Sequence, residues 1–173
     1  MGLAPRSYTQ EEIDDLIGCP KVVSEAPKRE MKLDRGHFRN DMRLKSIEGE
    51  REFRVFMRRS DDLPENFSIG LAFLPKDGSG EIVLLRCNGP HGGYNDSFDA
   101  DHSHWEYHVH RATAEMIEAG QRPEKAATVN RDYAAYEDAL EYFLRATNIT
   151  DAASYFPDLM QRSLKFDVEE PKP

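Results

Sequence analysis

The spacing of apolar residues changes along the chain, and each change marks a different predicted element. Apolar side chains between residues 13 and 17 recur at helical spacing. Thr9 and Glu12 precede them, three residues apart, which is the spacing of a capping box. These signals predict a helix over residues 10–17 that ends at Gly18.

After this helix, apolar and polar residues alternate with a period of two, which is typical of half-buried strands. The segments with a strand pattern are residues 31–47, 53–58, 67–73 and 81–87, followed by a histidine-rich run at 101–110. The connections between these segments contain Gly, Pro, Asp and Asn, which are typical turn residues. Because the connections are short, an antiparallel meander is expected.

The last third of the chain returns to helical spacing. A short helix is predicted over Ala112–Ala119, an amphipathic helix over Asp132–Thr147 and a short helical turn over Thr150–Met160. The chain is therefore predicted to form one α+β domain over residues 1–173. It would have an antiparallel sheet of about five strands, a short N-terminal helix and C-terminal helices on one face. The core would cover about residues 10–160, with 161–173 as a mobile tail.

Composition narrows the class of protein. The chain has 173 residues, of which 39% are hydrophobic, and no apolar run long enough to span a membrane. Without an apolar N-terminal segment, a cytoplasmic location is expected. The two cysteines, Cys19 and Cys87, follow no metal-binding spacing. Cys87 stands in an apolar run, so we expect a buried thiol with no disulfide and no nucleophilic role.

The formal net charge of −9 is unevenly distributed. Between Lys28 and Arg59 there are 11 Lys and Arg residues against six Asp and Glu. An acidic chain is a poor general binder of nucleic acid, yet a basic segment within it can hold a phosphate or an acidic partner. Arg54 and Arg58 are the candidate contacts of a binding module that would hold a protein partner without catalysis.

Five of the six histidines fall between His91 and His110, and this region is where chemistry is expected. In an extended chain His102, His104, His108 and His110 would share one face, and Trp105 and Tyr107 would face the core. The four histidines, with Asp99 or Asp101, contain enough ligands for zinc or iron. Their spacing matches no metal signature, so the leading prediction includes no metal and no other cofactor.

That leading prediction is acid–base cleavage of RNA phosphodiesters. Two imidazoles that titrate near neutral pH, His108 and His110, suit the roles of base and acid. Arg86 would contact the phosphate, since Arg111 falls on the opposite face of the strand. The glycine-rich loop after Asn88 could cradle an anion through its backbone N–H groups. The same loop could equally be a simple turn between strands.

Several motifs in this region resemble an uncharacterised prokaryotic family. They are Phe67-Ser-Ile-Gly-Leu, Leu85-Arg-Cys-Asn-Gly-Pro-His91, Tyr107-His-Val-His-Arg-Ala-Thr113 and Tyr136-Glu-Asp-Ala-Leu. The resemblance spans about residues 13–149, and the order of parts is distantly similar to the TumE-type toxins of toxin–antitoxin pairs. The matching positions are Arg86, Asn88, His91 and the His108/His110 pair. The chain departs from the toxins in its longer N-terminal region and its longer loop over residues 88–102.

The resemblance implies a small bacterial toxin–antitoxin or defence protein that acts on RNA. The candidate catalytic residues are His91, His108 and His110, and the candidate substrate contacts are Arg58, Arg86 and Asn88. The expected partners are RNA and an antitoxin or other protein, with a homodimer as a candidate assembly and no membrane. The protein-binding module and the zinc- or iron-binding protein stay open as alternatives.

Overall fold

The structure, a computed structural model, describes residues 6–91, 103–122 and 126–166. The helices are α1 (Gln10–Gly18), α2 (Ala114–Glu118), α3 (Tyr136–Ala146), α4 (Ala152–Tyr155) and α5 (Pro157–Phe166). The strands are β1 (Lys21–Glu25), β2 (Lys32–Asp34), β3 (His37–Ser46), β4 (Glu52–Ser60), β5 (Phe67–Leu74), β6 (Ile82–Asn88), β7 (His108–Arg111) and β8 (Thr128–Val129). A 3-10 helix covers Ser103–Trp105.

The first helix forms where the capping box predicts it. The amide of Glu12 donates to Thr9 Oγ1 at 3.1 Å, and the amide of Thr9 donates to the Glu12 carboxylate at 2.8 Å. These reciprocal bonds satisfy amides that have no partner within the helix. Gly18 is the last helical residue and not the cap, because Cys19 occupies the capping position in an extended conformation.

The strands form one sheet with the order β1-β3-β4-β5-β6-β7-β8, and β2 pairs with β3 alongside β1. The pairs along this order are antiparallel, so the α+β class and the meander are confirmed. The prediction of about five strands is too low, because the described chain has eight. Strands β1 and β8 lie outside the segments with a predicted strand pattern, since two to five residues carry too little alternation to detect. The single segment predicted over residues 31–47 is divided into β2 and β3.

Helices cover one face of the sheet. The other, which we call the open face, carries half-buried polar side chains on β4, although His108 and His110 at its β7 end are buried. Strand β4 alternates between buried residues such as Val55 and Met57 and half-buried arginines. Helix α3 packs on β5 and β6, and helix α1 packs on β6. The prediction that the long C-terminal helix covers one face is therefore confirmed. Its start is later than predicted, at Tyr136, although Tyr133 still belongs to the core.

Other boundaries also differ from the prediction. The short helix predicted over Ala112–Ala119 is limited to α2, and the single turn predicted over Thr150–Met160 is two helices, α4 and α5. Helix α5 continues to Phe166, and the rest of the predicted tail lies outside the described residues. Among the described residues, no helix has the length and apolar character needed to cross a membrane.

The two cysteines lie where the sequence places them. Both are buried, and neither is in a disulfide. Burial raises the pKa of the Cys87 thiol to about 12. The thiolate is therefore scarce at neutral pH, which agrees with the prediction that Cys87 is not a nucleophile.

Candidate metal centre

Several predicted site residues lie next to each other on the open face of the sheet, on the neighbouring strands β6 and β7. Arg86 on β6 pairs with His110 on β7, and Asn88 pairs with His108. On the other side of β6, Ser68 of β5 pairs with Asn88. Because directly opposite residues in an antiparallel pair share a face, these five side chains lie on the same side of the sheet.

His91 and His104 complete this arrangement from outside the sheet. His91 lies just after β6, and its amide donates to the carbonyl of His104 at 3.1 Å. His104 lies in the 3-10 helix and not on a strand, so the predicted alternation over the whole histidine run is wrong. Trp105, predicted to face the core, is 62% exposed. His102, Asp99 and Asp101 lie outside the described residues.

The four described histidines of this region form one compact group, which we call the histidine cluster: His91, His104, His108 and His110. Their candidate ligand nitrogens all lie within 4.8 Å of one another. The ring of His108 is central, with its centroid 4.9 Å from His91, 4.9 Å from His104 and 4.8 Å from His110. His104, His108 and His110 are at most 3% exposed, whereas His91 is exposed.

Backbone carbonyls fix the orientation of two of these rings. The Nδ1 atom of His108 lies 2.7 Å from the carbonyl oxygen of Glu106, and that of His110 lies 3.0 Å from the carbonyl oxygen of Ala126. A carbonyl only accepts, so Nδ1 carries the proton in each ring. The lone pair then lies on Nε2. Histidines that bind metals commonly hold their second nitrogen in this way.

The distance between two ε nitrogens fits a shared ion. His108 Nε2 lies 3.2 Å from His91 Nε2. A tetrahedral zinc ion with Zn–N bonds of about 2.1 Å separates its ligand nitrogens by about 3.4 Å. The two rings are therefore already close to the spacing of two ligands on one ion.

Burial keeps the central ring uncharged. Loss of hydration lowers the pKa of His108 to about 4, and repulsion by the other three histidines acts in the same direction. The hydrogen bond to Glu106 opposes this shift only in part. A neutral imidazole is the form that binds a metal ion, whereas a general acid at neutral pH must be protonated.

A cavity of about 190 Å³ opens beside the cluster. Its lining residues are Asn66, Phe67, Ser68, Arg86, Asn88, His91, His104 and His110. Arg86 donates from Nε and Nη2 to Ser68 Oγ at 3.1 and 3.0 Å, and Ser68 Oγ donates to Asn88 Oδ1 at 2.9 Å. This chain of bonds holds the guanidinium at the cavity wall.

Tyr133 supports the ligand strands from the opposite, buried face. Its hydroxyl lies 2.6 Å from the carbonyl oxygen of His108 and 3.3 Å from that of Asn88. These two residues face each other across β6 and β7. Tyr133 therefore ties together the strand ends that carry the site.

Comparison with family models, with curated proteins and with solved structures found no match for this chain. The resemblance to a prokaryotic family and to the TumE-type toxins stays a prediction. The site is accordingly interpreted from its own residues.

The structure brings most of the predicted site residues together. Arg86, Asn88, His91 and His110 line the cavity, and His108 lies within the cluster behind them. Sequence reasoning named His104 only as a candidate metal ligand and did not name Ser68 as a site residue. The only signal for His104 was its H-x-H spacing, and Ser68 becomes visible only through the strand register.

The remaining predicted contacts lie farther along the same face. Arg58 is bound to the carboxylate of Asp41 at 3.0 Å, and Arg54 is bound to Asp41 at 2.9 Å and to Glu81 at 2.7 Å. Their charges are therefore balanced locally, which reduces the attraction of an acidic protein partner. Arg111 pairs instead with Asp14 of α1, on the face predicted for it.

Gly89 is the first residue after β6, and the packing around it requires a residue without a side chain. A Cβ atom at this position would overlap the carbonyl oxygen of Glu65, and the Gly89 amide donates to the Phe67 carbonyl at 3.1 Å. The loop at this residue is thus a close backbone contact, which only glycine permits.

We expect Gly89→Ala to destabilise the protein by about 2 kcal/mol or more, because the backbone must move away from Glu65. The shift would also displace His91, two residues on. Chemical denaturation measures the change. Gly18→Ala is the matched control, since its Cβ would meet no atom within 4 Å and alanine favours the helix. Equal stability of the two variants would contradict the steric explanation.

Proposed function

We propose that this protein is a metalloprotein in which the histidine cluster binds one divalent transition-metal ion, such as Zn²⁺ or Fe²⁺. The observation that carries the proposal is the convergence of four imidazoles whose candidate ligand nitrogens lie within 4.8 Å of one another. Shifts of about 1 Å would bring them to the spacing of a tetrahedral site.

The ligand type supports a transition metal. Among the described residues, the cluster contains imidazoles alone, with no carboxylate or thiolate. Imidazole suits zinc, iron, copper and nickel, whereas magnesium and calcium prefer oxygen ligands. The two rings held by backbone carbonyls supply the outer contacts that orient such ligands.

The geometry also supports access to the ion. Three histidines are buried, and the fourth, His91, is exposed at the cavity. A purely structural site is closed on all sides, whereas a reactive site holds the ion with three protein ligands and a water or substrate. A water or substrate in the cavity would replace the exposed His91 or add a fifth ligand beside it.

The metal content of the purified protein tests this proposal. We expect about one ion per chain when the protein is produced without a histidine tag, or after an EDTA-treated sample is titrated with Zn²⁺. His37→Ala is the matched control, because His37 is exposed on β3 and lies outside the cluster. Less than about a tenth of an ion per chain after the Zn²⁺ titration would overturn the proposal.

Acid–base cleavage of RNA is the second candidate function. Its support is that Arg86, Asn88, His91 and His110 line one cavity. Burial of His108 and its lowered pKa weigh against a role as acid near neutral pH, so His108 would be the base and His110 or His91 the acid. RNA cleavage that persists in EDTA and disappears in His110→Ala would favour this candidate over the metal centre.

A further inference from the structure

The cavity beside the histidine cluster adjoins a second space on the open face of the sheet. This second space, the arginine groove, has a volume of about 410 Å³. Both spaces are lined by Asn66, Phe67, Ser68 and Arg86. Arg86 therefore borders the groove as well as the cavity beside the cluster.

Four arginines line the arginine groove: Arg54, Arg58, Arg59 and Arg86, with Glu81 as the one acidic residue of that lining. Arg54 is paired with Asp41 and Glu81, Arg58 with Asp41, and Arg59 with Glu137, so the charges of these three arginines are balanced locally. The guanidinium carbons of Arg54, Arg58 and Arg86 lie 5.2, 5.8 and 5.7 Å from the centre of the Phe56 ring. The ring lies over Gly70, where any Cβ would collide with it.

The charges beside the histidine cluster favour an anion. Imidazoles bind a metal ion in their neutral form, so they do not reduce the charge of a divalent ion. Among the described residues that line the cavity, Arg86 adds a further positive charge and no carboxylate is present. Arg86 is the direct cross-strand neighbour of His110, so their Cα atoms are about 5 Å apart. A guanidinium fork matches the paired oxygens of a carboxylate or phosphate.

On this basis, and resting on the metal centre proposed above, we propose that the cavity binds an oxyanion between Arg86 and the metal ion. The oxyanion is the carboxylate or phosphate group of a small molecule, with one oxygen on the ion and another on the guanidinium. A cavity of about 190 Å³ has the volume of about six water molecules at about 30 Å³ each, which accommodates such a group. The remainder of the molecule would extend along the arginine groove over Phe56.

Cobalt-loaded protein provides the test, because the visible spectrum of Co²⁺ responds to a new ligand on the ion. Inorganic phosphate and acetate are titrated separately into wild type, Arg86→Met and Arg43→Met. Arg43 is the control arginine, since it pairs with Glu25 at 3.7 Å and lines neither space. Ser68→Ala serves as a second variant that keeps the guanidinium but removes the hydroxyl that holds it.

We expect at least one of the two anions to change the Co²⁺ spectrum of wild type and of Arg43→Met at the same concentration. Arg86→Met should need an anion concentration at least about tenfold higher than wild type for the same spectral change. Ser68→Ala should need a concentration between those two. A response to phosphate alone indicates a phosphoryl ligand, and a response to acetate alone indicates a carboxylate.

The two proposals fail in different ways. A protein that takes up no Co²⁺ overturns the metal centre and this inference with it. A protein that takes up one Co²⁺ but shows no response to either anion overturns only the oxyanion site. Equal anion concentrations for the response of Arg86→Met and of wild type would also overturn only the oxyanion site.

Discussion

His108→Ala is expected to weaken Zn²⁺ binding by at least about 100-fold, a larger functional effect than a change at the exposed edge of the cluster. Loss of an outer contact to a metal ligand costs about 10- to 100-fold in affinity, so loss of a central ligand should cost more. The His108 ring is fully buried and contacts each of the other three imidazoles.

The loss of Zn²⁺ affinity should depend on where the substituted histidine lies within the cluster. His110→Ala should resemble His108→Ala, because both rings lie on β7 and both are held by backbone carbonyls. His91→Ala should cost less, about tenfold, because this exposed side chain lies at the cavity, where water can replace it.

Calorimetric titration of EDTA-treated protein with Zn²⁺ measures these affinities. Thermal unfolding gives a second reading, since an ion at 1,000 times its dissociation constant stabilises the folded state by about 4 kcal/mol. We expect this stabilisation in wild type and in the control His37→Ala, but not in His108→Ala. Wild-type affinity in His108→Ala would rule out the proposed ligand set, provided that circular dichroism shows a folded variant.

Lys21→Met is expected to have the largest effect on folding, a loss of about 3–5 kcal/mol. The Lys21 side chain is fully buried, and its ammonium donates to three backbone carbonyls. They belong to Ile17 (2.7 Å), Cys19 (2.8 Å) and Thr147 (3.0 Å). Methionine fills a similar volume but leaves these carbonyls without a donor in a region closed to water.

The three carbonyls explain why a charged group is tolerated here. Ile17 and Cys19 mark the end of α1, and Thr147 caps the end of α3. Carbonyls at a helix C-terminus carry partial negative charge, so one ammonium stabilises both ends at once. Burial lowers the pKa of Lys21 to about 8, and the side chain therefore still carries its charge at neutral pH.

Urea denaturation at neutral pH measures the loss. Lys45→Met is the matched control, since Lys45 is exposed on β3 and its removal should change stability by at most about 0.5 kcal/mol. A loss below about 1 kcal/mol in Lys21→Met would show that the three bonds contribute little beyond what water supplies in the unfolded chain.

Much of the local structure follows from short-range patterns. Thr9 and Glu12 predict the start of α1, and alternation predicts the buried residues of β4 and β5. Such features depend on a few neighbouring residues, so sequence alone is sufficient. The prediction is wrong for the segment around His104, because its alternate spacing indicates a strand whereas the backbone forms a 3-10 helix.

The concentration of imidazoles and the Arg-x-Asn segment upstream of it can be read directly from the sequence, as can the α+β class. The shared face of these residues, the contact of His91 and His104 with His108 and His110, and the bonds of Lys21 to two helix ends become visible only in the folded chain. This difference arises from the range of the interactions. Periodicity defines which face of its own element a side chain occupies, whereas convergence depends on strand register and on chain reversals between elements distant in sequence.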